Sequence, residues 1–275
     1  MKEEQEKILI IDFMYLWNRI YYATQNQETN YYEHMLSIIE KVHRNTVYTK
    51  KYIVLDGENS ICRQKELLPE YKEGRAPKKE VYARINQFVK ECAEKYTDLQ
   101  FVRANGYEAD EVIACFSYIF SQKGKQVLIY SGDKDLLQLL VYPNVYVGIK
   151  YTRLFELQPL TDEELQKKMD IISNKTLSKV GDILKFRIFR GDTSDSIPAA
   201  IPRFPSKTIL NIIENTWAGV TPLSAQVVNN MEEFLQGKDK EKFRENIPNL
   251  YRNWELMQLQ FLPREEIMKK VKRLT

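Results

Sequence analysis

Two short apolar runs that each end on a carboxylate, Lys7–Asp12 (KILIID) and Tyr52–Asp56 (YIVLD), constrain this chain more than any other feature. A short apolar run without polar alternation is the pattern of a strand buried on both faces. Leu99–Arg103 and Gln126–Tyr130 (QVLIY) repeat the pattern, and Asn144–Gly148 does so more weakly. Between them lie helical periodicities over roughly Met14–Thr24, Tyr32–Val47, Lys79–Tyr96, Glu108–Ser121 and Leu136–Val141. Strand and helix in alternation predict an α/β fold, a mostly parallel sheet flanked by helices. After residue 150 the strand patterns stop. Thr161–Lys168, Leu177–Phe189, Ser206–Glu214 and Ser224–Gln236 then read as helices. The expected organisation is an α/β domain over 1–155 and a helical lobe over 156–275, with the tail from Pro263 a terminal helix or a loose arm.

At 275 residues the chain can bury one large core, or one core and a smaller lobe. Cys62, Cys92 and Cys115 are too few and too scattered for a disulfide framework, which points to a reducing compartment. The acidic start Met1–Lys7 does not resemble a secretory signal, and no apolar run approaches the ~20 residues that span a bilayer. The expectation is a soluble, cytoplasmic protein.

Carboxylates cluster where predicted elements end. Five groups stand out: Asp12; Asp56 before Gly57; Glu108, Asp110 and Glu111; Asp133 and Asp135; and Asp192 and Asp195. Strands of a parallel sheet share one carboxyl edge, so clusters distant in sequence can converge there. Several carboxylates in one place repel unless cations lie among them, and oxygen-only ligands suit magnesium or manganese over zinc or copper. Each cluster alone has a plainer reading, since Asp133 and Asp135 could serve as helix caps and Asp12 and Asp56 as turn formers. On a regular helix Asp110 points about 200° from Glu108, so the two act together only if Glu108 precedes the first regular turn. Gly106 permits that geometry. Asp192 and Asp195 follow a helix and depend on how their loop folds.

The net charge of +3 hides a separation. With nine of the 38 acidic residues set aside in these clusters, 41 basic residues face 29 acidic ones, a surplus of twelve. An acidic pocket in a basic surface suits a polyanion held beside metal ions, although an ordinary Lys-rich surface fits the charge alone as well. Asn59–Lys79 interrupts the strand–helix alternation with Arg63, Lys65, Tyr71, Lys72, Arg75 and Lys78, which marks a substrate-gripping loop or arch. His34 and His43 share one predicted helix without a triad partner, and no phosphate-cradling glycine motif occurs.

Leu68–Arg75 (LPEYKEGR) downstream of Leu55-Asp56-Gly57, Gly106–Glu111 (GYEADE), Ser131–Asp135 (SGDKD) and Gly191–Asp195 (GDTSD) together resemble the 5′ nuclease or flap endonuclease superfamily. The branch most similar is that of bacteriophage ribonuclease H and 5′-3′ exonucleases, and the resemblance runs from Ile8 to about Pro263. It implies a PIN-like α/β domain with a helical arch and a carboxyl-terminal helical DNA-binding region. It further implies a metal cage of Asp12, Asp56, Glu108, Asp110, Asp133 and Asp135, completed by Asp192 and Asp195, some through water. Lys72 and Arg75 match arch residues that contact the reacting phosphate, and Tyr71 would stack on a base. The chain departs from its relatives at Glu111, where they carry Asp, and at Ile197–Lys207, where Pro198 and Pro202 replace flexible glycines. Arg203, Ser206 and Lys207 remain candidates for backbone contact.

The resulting expectation is a 5′-3′ exonuclease or flap endonuclease, dependent on Mg2+ or Mn2+ and using two ions. It would act on duplex or branched DNA and RNA–DNA hybrids during primer removal in replication. The resemblance further implies a monomer, in the host cytoplasm if phage-encoded, with a single-strand binding protein or a polymerase as partner. Two rivals are weighed against it. An inactive nucleic-acid-binding module would have to keep clustered, unpaired charge, which is costly. A haloacid-dehalogenase-type phosphatase needs Asp-x-Asp after the first strand, and here Phe13-Met14 follow Asp12.

Overall fold

The computed structural model describes residues 5–24, 28–74, 79–174 and 177–274. They form two compact units, the first spanning Met1–Ser60, Pro77–Leu160 and Leu262–Thr275, the second Ile61–Ala76 and Thr161–Phe261. Two segments thus group otherwise than a 1–155 and 156–275 division expects: residues 61–76 join the helical unit, and the last fourteen residues return to the sheet.

The first unit is built on β1 (Lys7–Asp12), β2 (Lys50–Val54), β3 (Leu99–Ala104), β4 (Gln126–Tyr130) and β5 (Val145–Gly148), parallel in the order β5-β4-β1-β2-β3. A small antiparallel pair, β6 (Lys150–Tyr151) and β7 (Leu157–Gln158), follows, and β8 (Val271–Arg273) joins β3 antiparallel at the outer edge. β1 is central, and Ile11 pairs with Ile53 on one side and Tyr130 on the other. Both faces of β1 are covered, which is why KILIID carries no polar alternation. The helices in chain order begin with α1 (Phe13–Ala23) and α2 (Glu28–Arg44); α3 (Cys62–Leu67) belongs to the second unit; α4 (Lys79–Lys95) and α5 (Ala109–Gln122) return to the first.

Leu9, Ile11, Ile53, Phe101 and Leu128 share one buried cluster with Phe13 and Trp17 of α1, Met35 and Ile39 of α2, and Phe88 of α4. On the other face the Tyr52 ring meets Phe116 and Phe120 of α5 at 4.6 and 5.6 Å. The β6–β7 hairpin is pinned by Phe155, fully buried at φ 58°, whose ring stacks on Tyr151 at 4.3 Å and lies 5.7 Å from Tyr130. The Arg19 guanidinium bonds both the Tyr130 hydroxyl and the Ile149 carbonyl, closing the hairpin's base.

The second unit is helical. It adds α6 (Asp162–Ser173), α7 (Ile183–Arg190), α8 (Ser206–Thr216), α9 (Ala225–Phe234), α10 (Gly237–Glu245) and α11 (Ile247–Met257) to α3. α7 is its axis, buried from Ile183 to Phe189 and taking Lys185 and Arg187 inside with their charges paired. Lys185 donates to the Trp217 carbonyl at 2.6 Å and to Asp182 at 3.0 Å. The Asn253 amide ties α11 to the Ile188 and Pro198 carbonyls at 2.9 Å.

The elements depart from expectation at several points. Leu136–Val141 is part of a 3₁₀ turn, Asp135–Val141, and the Leu177–Phe189 helix begins only at Ile183, after a 3₁₀ turn at Val180–Asp182. Strands do occur after residue 150. The tail is neither loose nor only helical: α12 (Arg264–Lys270) leads into β8.

Candidate metal centre

The chain steps outward from β1 to β2 to β3, then α5 carries it back to β4 on the other side of β1. That reversal leaves a crevice between the carboxyl ends of β1 and β4, the place where open α/β sheets bind ligands. Asp12 ends β1 and Ser131-Gly132-Asp133 follows β4. The Ser131 hydroxyl donates to Asp12 Oδ2 at 2.8 Å, and the Tyr15 N–H to Asp12 Oδ1 at 3.0 Å, so the carboxylate also caps α1. A Cβ on Gly132 would stand 2.4 Å from the Tyr15 ring, so only glycine lets this loop lie against α1.

Asp56 follows β2 and accepts the Ala109 N–H at 2.8 Å, which draws the start of α5 to the same edge. Gly106 sits at φ 83° and Glu108 is the extended N-cap of α5, at φ −78° and ψ 159°. Glu108 therefore precedes the first regular turn, which is the condition for Glu108 and Asp110 to work together. Burial pushes the Asp12 carboxyl up to about 7, two hydrogen bonds oppose that shift, and the Asp133 and Asp56 charges add to it. Like charges close together disfavour one another's ionised forms, and a cation among them would favour those forms again. The donor set is all oxygen, and each Asp12 oxygen keeps a lone pair beyond its one hydrogen bond.

The other expected ligands also make contacts within the chain. The Glu111 carboxylate is buried and accepts the Glu108 N–H at 3.0 Å through Oε2 as part of a capping box, so it has a structural use at the start of α5. The Asp135 N–H donates to Asp133 Oδ1 at 2.9 Å, so the two are held as one turn. Asp192 and Asp195 belong to the second unit. Burial raises the Asp192 carboxyl, but Ser194 and the Arg187 guanidinium more than offset this and hold it below the ordinary range. Asp192 is thus already matched by a cation of the chain, and its carboxylate orders the Thr193–Asp195 turn.

Of the arch residues, Tyr71 has a ring only 3% exposed, with the Lys72 ammonium 5.2 Å from its centre. A ring so covered does not present a face to a base, contrary to the stacking role expected of it. Lys72 stands at φ 52° and donates its N–H to the Asp195 carbonyl at 2.9 Å. In α3 Lys65 is exposed and Arg63 half-buried, whereas Arg75 and Lys78 lie outside the described residues. Arg203 and Lys207 are exposed and Ser206 half-buried at the start of α8, where Ser206 bonds Arg190. Ser131 was not singled out in the sequence. A serine directly after an apolar strand and before Gly-Asp was its signal.

The model of the 5′-3′ exonuclease N-terminal, resolvase-like domain matches residues 7–170. This chain belongs to that family. It is an enzyme, a nuclease of the 5′-3′ exonuclease and flap endonuclease type. It is 30% identical to the 5′-3′ exonuclease of Mycoplasmopsis pulmonis over 217 residues, covering 76% of this chain and 67% of the relative. It is 29% identical to flap endonuclease Xni of Shewanella pealeana over 210 residues, 75% of each. The thermostable DNA polymerase I of Thermus thermophilus is 25% identical over 92% of this chain, which spans 29% of that polymerase. Among solved structures, the bacteriophage T5 5′-exonuclease with bound zinc has the same fold, with a TM-score of 0.65 and 21% identity over 93% of this chain and 90% of that one. Among the described residues no helix is long and apolar enough to cross a membrane.

Proposed function

We propose that this chain is a divalent-metal-dependent 5′-3′ exonuclease and flap endonuclease that acts near the 5′ ends of duplex or branched DNA and RNA–DNA hybrids. The observation that carries the reading is the junction of β1 and β4, where Asp12 is pushed toward neutrality beside Asp133 and Asp56. Asp12, Asp56, Glu108, Asp110, Asp133 and Asp135 are the residues that would hold magnesium or manganese, with two ions the expected number. Bound there, such ions would supply charge neutralisation at the reacting phosphate and a more acidic water. The chain's own part is positional. Ser131 and the Tyr15 N–H orient Asp12, the Ala109 N–H orients Asp56, and the extended N-cap places Glu108 ahead of the first regular turn of α5. Lys72 and Arg75 are proposed to bind the phosphate, and Arg63, Lys65, Lys78, Arg203, Ser206 and Lys207 the nucleic-acid backbone.

The solved T5 flap endonuclease complex contains DNA and metal ions, and other relatives are DNA polymerases, which supports DNA as substrate, primer removal as setting and a polymerase as partner. A 5′-labelled flap duplex, a 5′ overhang and an RNA–DNA hybrid, each with magnesium and with EDTA, test the reading. Magnesium-dependent cleavage, lost in Asp133→Ala, is expected. Binding of the flap without cleavage would establish the inactive module instead, and release of free phosphate alone the phosphatase.

A further inference from the structure

Glu108 and Asp110 sit on a turn that is gripped from outside the sequence around it. The turn leaves β3 at Ala104, and Gly106, Tyr107 and Glu108 carry it into α5. Its backbone is tied to the loop after β2: the Gly106 N–H donates to the Glu58 carbonyl at 2.8 Å, and the Gly57 N–H to the Tyr107 carbonyl at 3.0 Å. The Tyr107 side chain points the other way, into α12. Its hydroxyl donates to Glu266 Oε1 at 2.7 Å, and the Lys270 ammonium lies 5.0 Å from its ring centre. Only 4% of Tyr107 is exposed.

α12 is itself fixed at both ends. The Arg264 guanidinium lies 3.7 Å from the Tyr118 ring centre on α5 and donates to the Tyr142 hydroxyl at 3.1 Å. Ile267 is fully buried, and β8 then pairs Val271 with Ala104, the residue from which the turn departs. The Leu274 N–H donates to the Phe101 carbonyl at 2.8 Å. The 264–274 segment thus holds the strand before Glu108, the helix after it, and the tyrosine beside it.

We infer that Tyr107 and Glu266 are positioning residues for the candidate metal centre. The α12–β8 segment, through the Tyr107 hydroxyl, sets the angle at which Glu108 and Asp110 are presented. The inference rests on the metal-dependent reading above. Groups that orient metal ligands from behind change metal affinity or activity by about 10–100-fold when removed, without touching the substrate. Tyr107→Phe deletes only the hydroxyl and keeps the ring packed between α12 and the turn.

The test compares intact wild-type chain with Tyr107→Phe, Glu266→Ala and Glu266→Gln, with Glu265→Gln as a surface control on the same helix. Two quantities are read: Mn2+ binding by calorimetry without nucleic acid, and kcat and KM for the flap substrate across a magnesium titration. Tyr107→Phe and Glu266→Ala are expected to weaken Mn2+ binding and raise the half-saturating magnesium about tenfold, with KM for the flap unchanged. Glu266→Gln keeps an oxygen acceptor and should fall between Glu266→Ala and wild type. Variants that bind Mn2+ like wild type overturn the inference while leaving the metal reading intact. So does a loss that tracks thermal stability alone, with saturating magnesium restoring nothing. A wild-type chain that neither binds Mn2+ nor cleaves with magnesium removes the metal reading and this inference with it.

Discussion

Asp12 shows how one side chain can serve fold and function in opposite senses. It caps α1 and takes the Ser131 hydroxyl, yet its carboxyl is raised by burial and by two neighbouring carboxylates. Asp12→Asn keeps an oxygen for the cap and removes the repulsion. We expect its metal-free melting temperature to rise by a few degrees, since about 1 kcal/mol shifts a chain of this size by roughly 2–4 °C. The same variant should lose magnesium-dependent cleavage. Calorimetric scans in EDTA check the first half, and a lower melting point than wild type would refute it. Gly132→Ala should reduce activity by driving a Cβ into the Tyr15 ring, and Tyr15→Ala in the same chain should restore part of it. At this scale the acidic clusters were legible, because carboxylates at strand ends have few other uses in such numbers. The roles of Glu111 and Tyr71 were not. Glu111 caps α5 because it falls at the third residue of the helix, and the helix boundary is what sequence patterns fix least well. Tyr71 carries an aromatic ring whose burial is decided by tertiary packing.

Among the elements, the parallel strands were legible because a strand buried on both faces has no polar residues to confuse its pattern. β1 and β4 begin and end where the apolar runs KILIID and QVLIY do. The missed elements lack that signal. β8 (VKR) lies at the sheet's outer edge, where charge is tolerated and even favoured. α10 (GKDKEKFRE) buries one residue, Phe243, and shows no apolar stripe. α11 did carry a start signal, a proline in its first turn, with Leu250, Trp254 and Met257 on one face. The β6–β7 hairpin was too short for any period, and Phe155 anchors it. Phe155→Ala should cost about 3–5 kcal/mol, read by urea unfolding, and a loss below 1 kcal/mol would show that the hairpin contributes little. α3 offers a chemical check on packing. Cys62 is exposed, whereas burial pushes the Cys92 and Cys115 thiols up to about 12. At pH 8 one thiol per native chain should react with iodoacetamide, and Cys62→Ser should abolish that reaction.

At the level of the whole molecule, the order of elements predicted an α/β unit and a helical one, but not their interleaving. Sequence patterns are local, and nothing local marks residues 61–76 or 262–275 as belonging with chain more than 80 residues away. Divalent ions should stabilise the native chain by mass action, about 2.7 kcal/mol at a hundred times the dissociation constant. A melting point that does not move between EDTA and saturating magnesium would count against the metal reading. The placement of β8 bears on synthesis. Its partner β3 ends at Ala104 and its own first residue is Val271. At translation rates of about 5–20 residues per second, the outer edge of β3 stays uncovered for roughly ten to thirty seconds after it emerges. During that interval the nascent sheet offers open backbone donors and acceptors to any neighbouring strand. A ribosome stalled anywhere in the helical segment therefore holds a chain whose β3 edge is still open to wrong pairing.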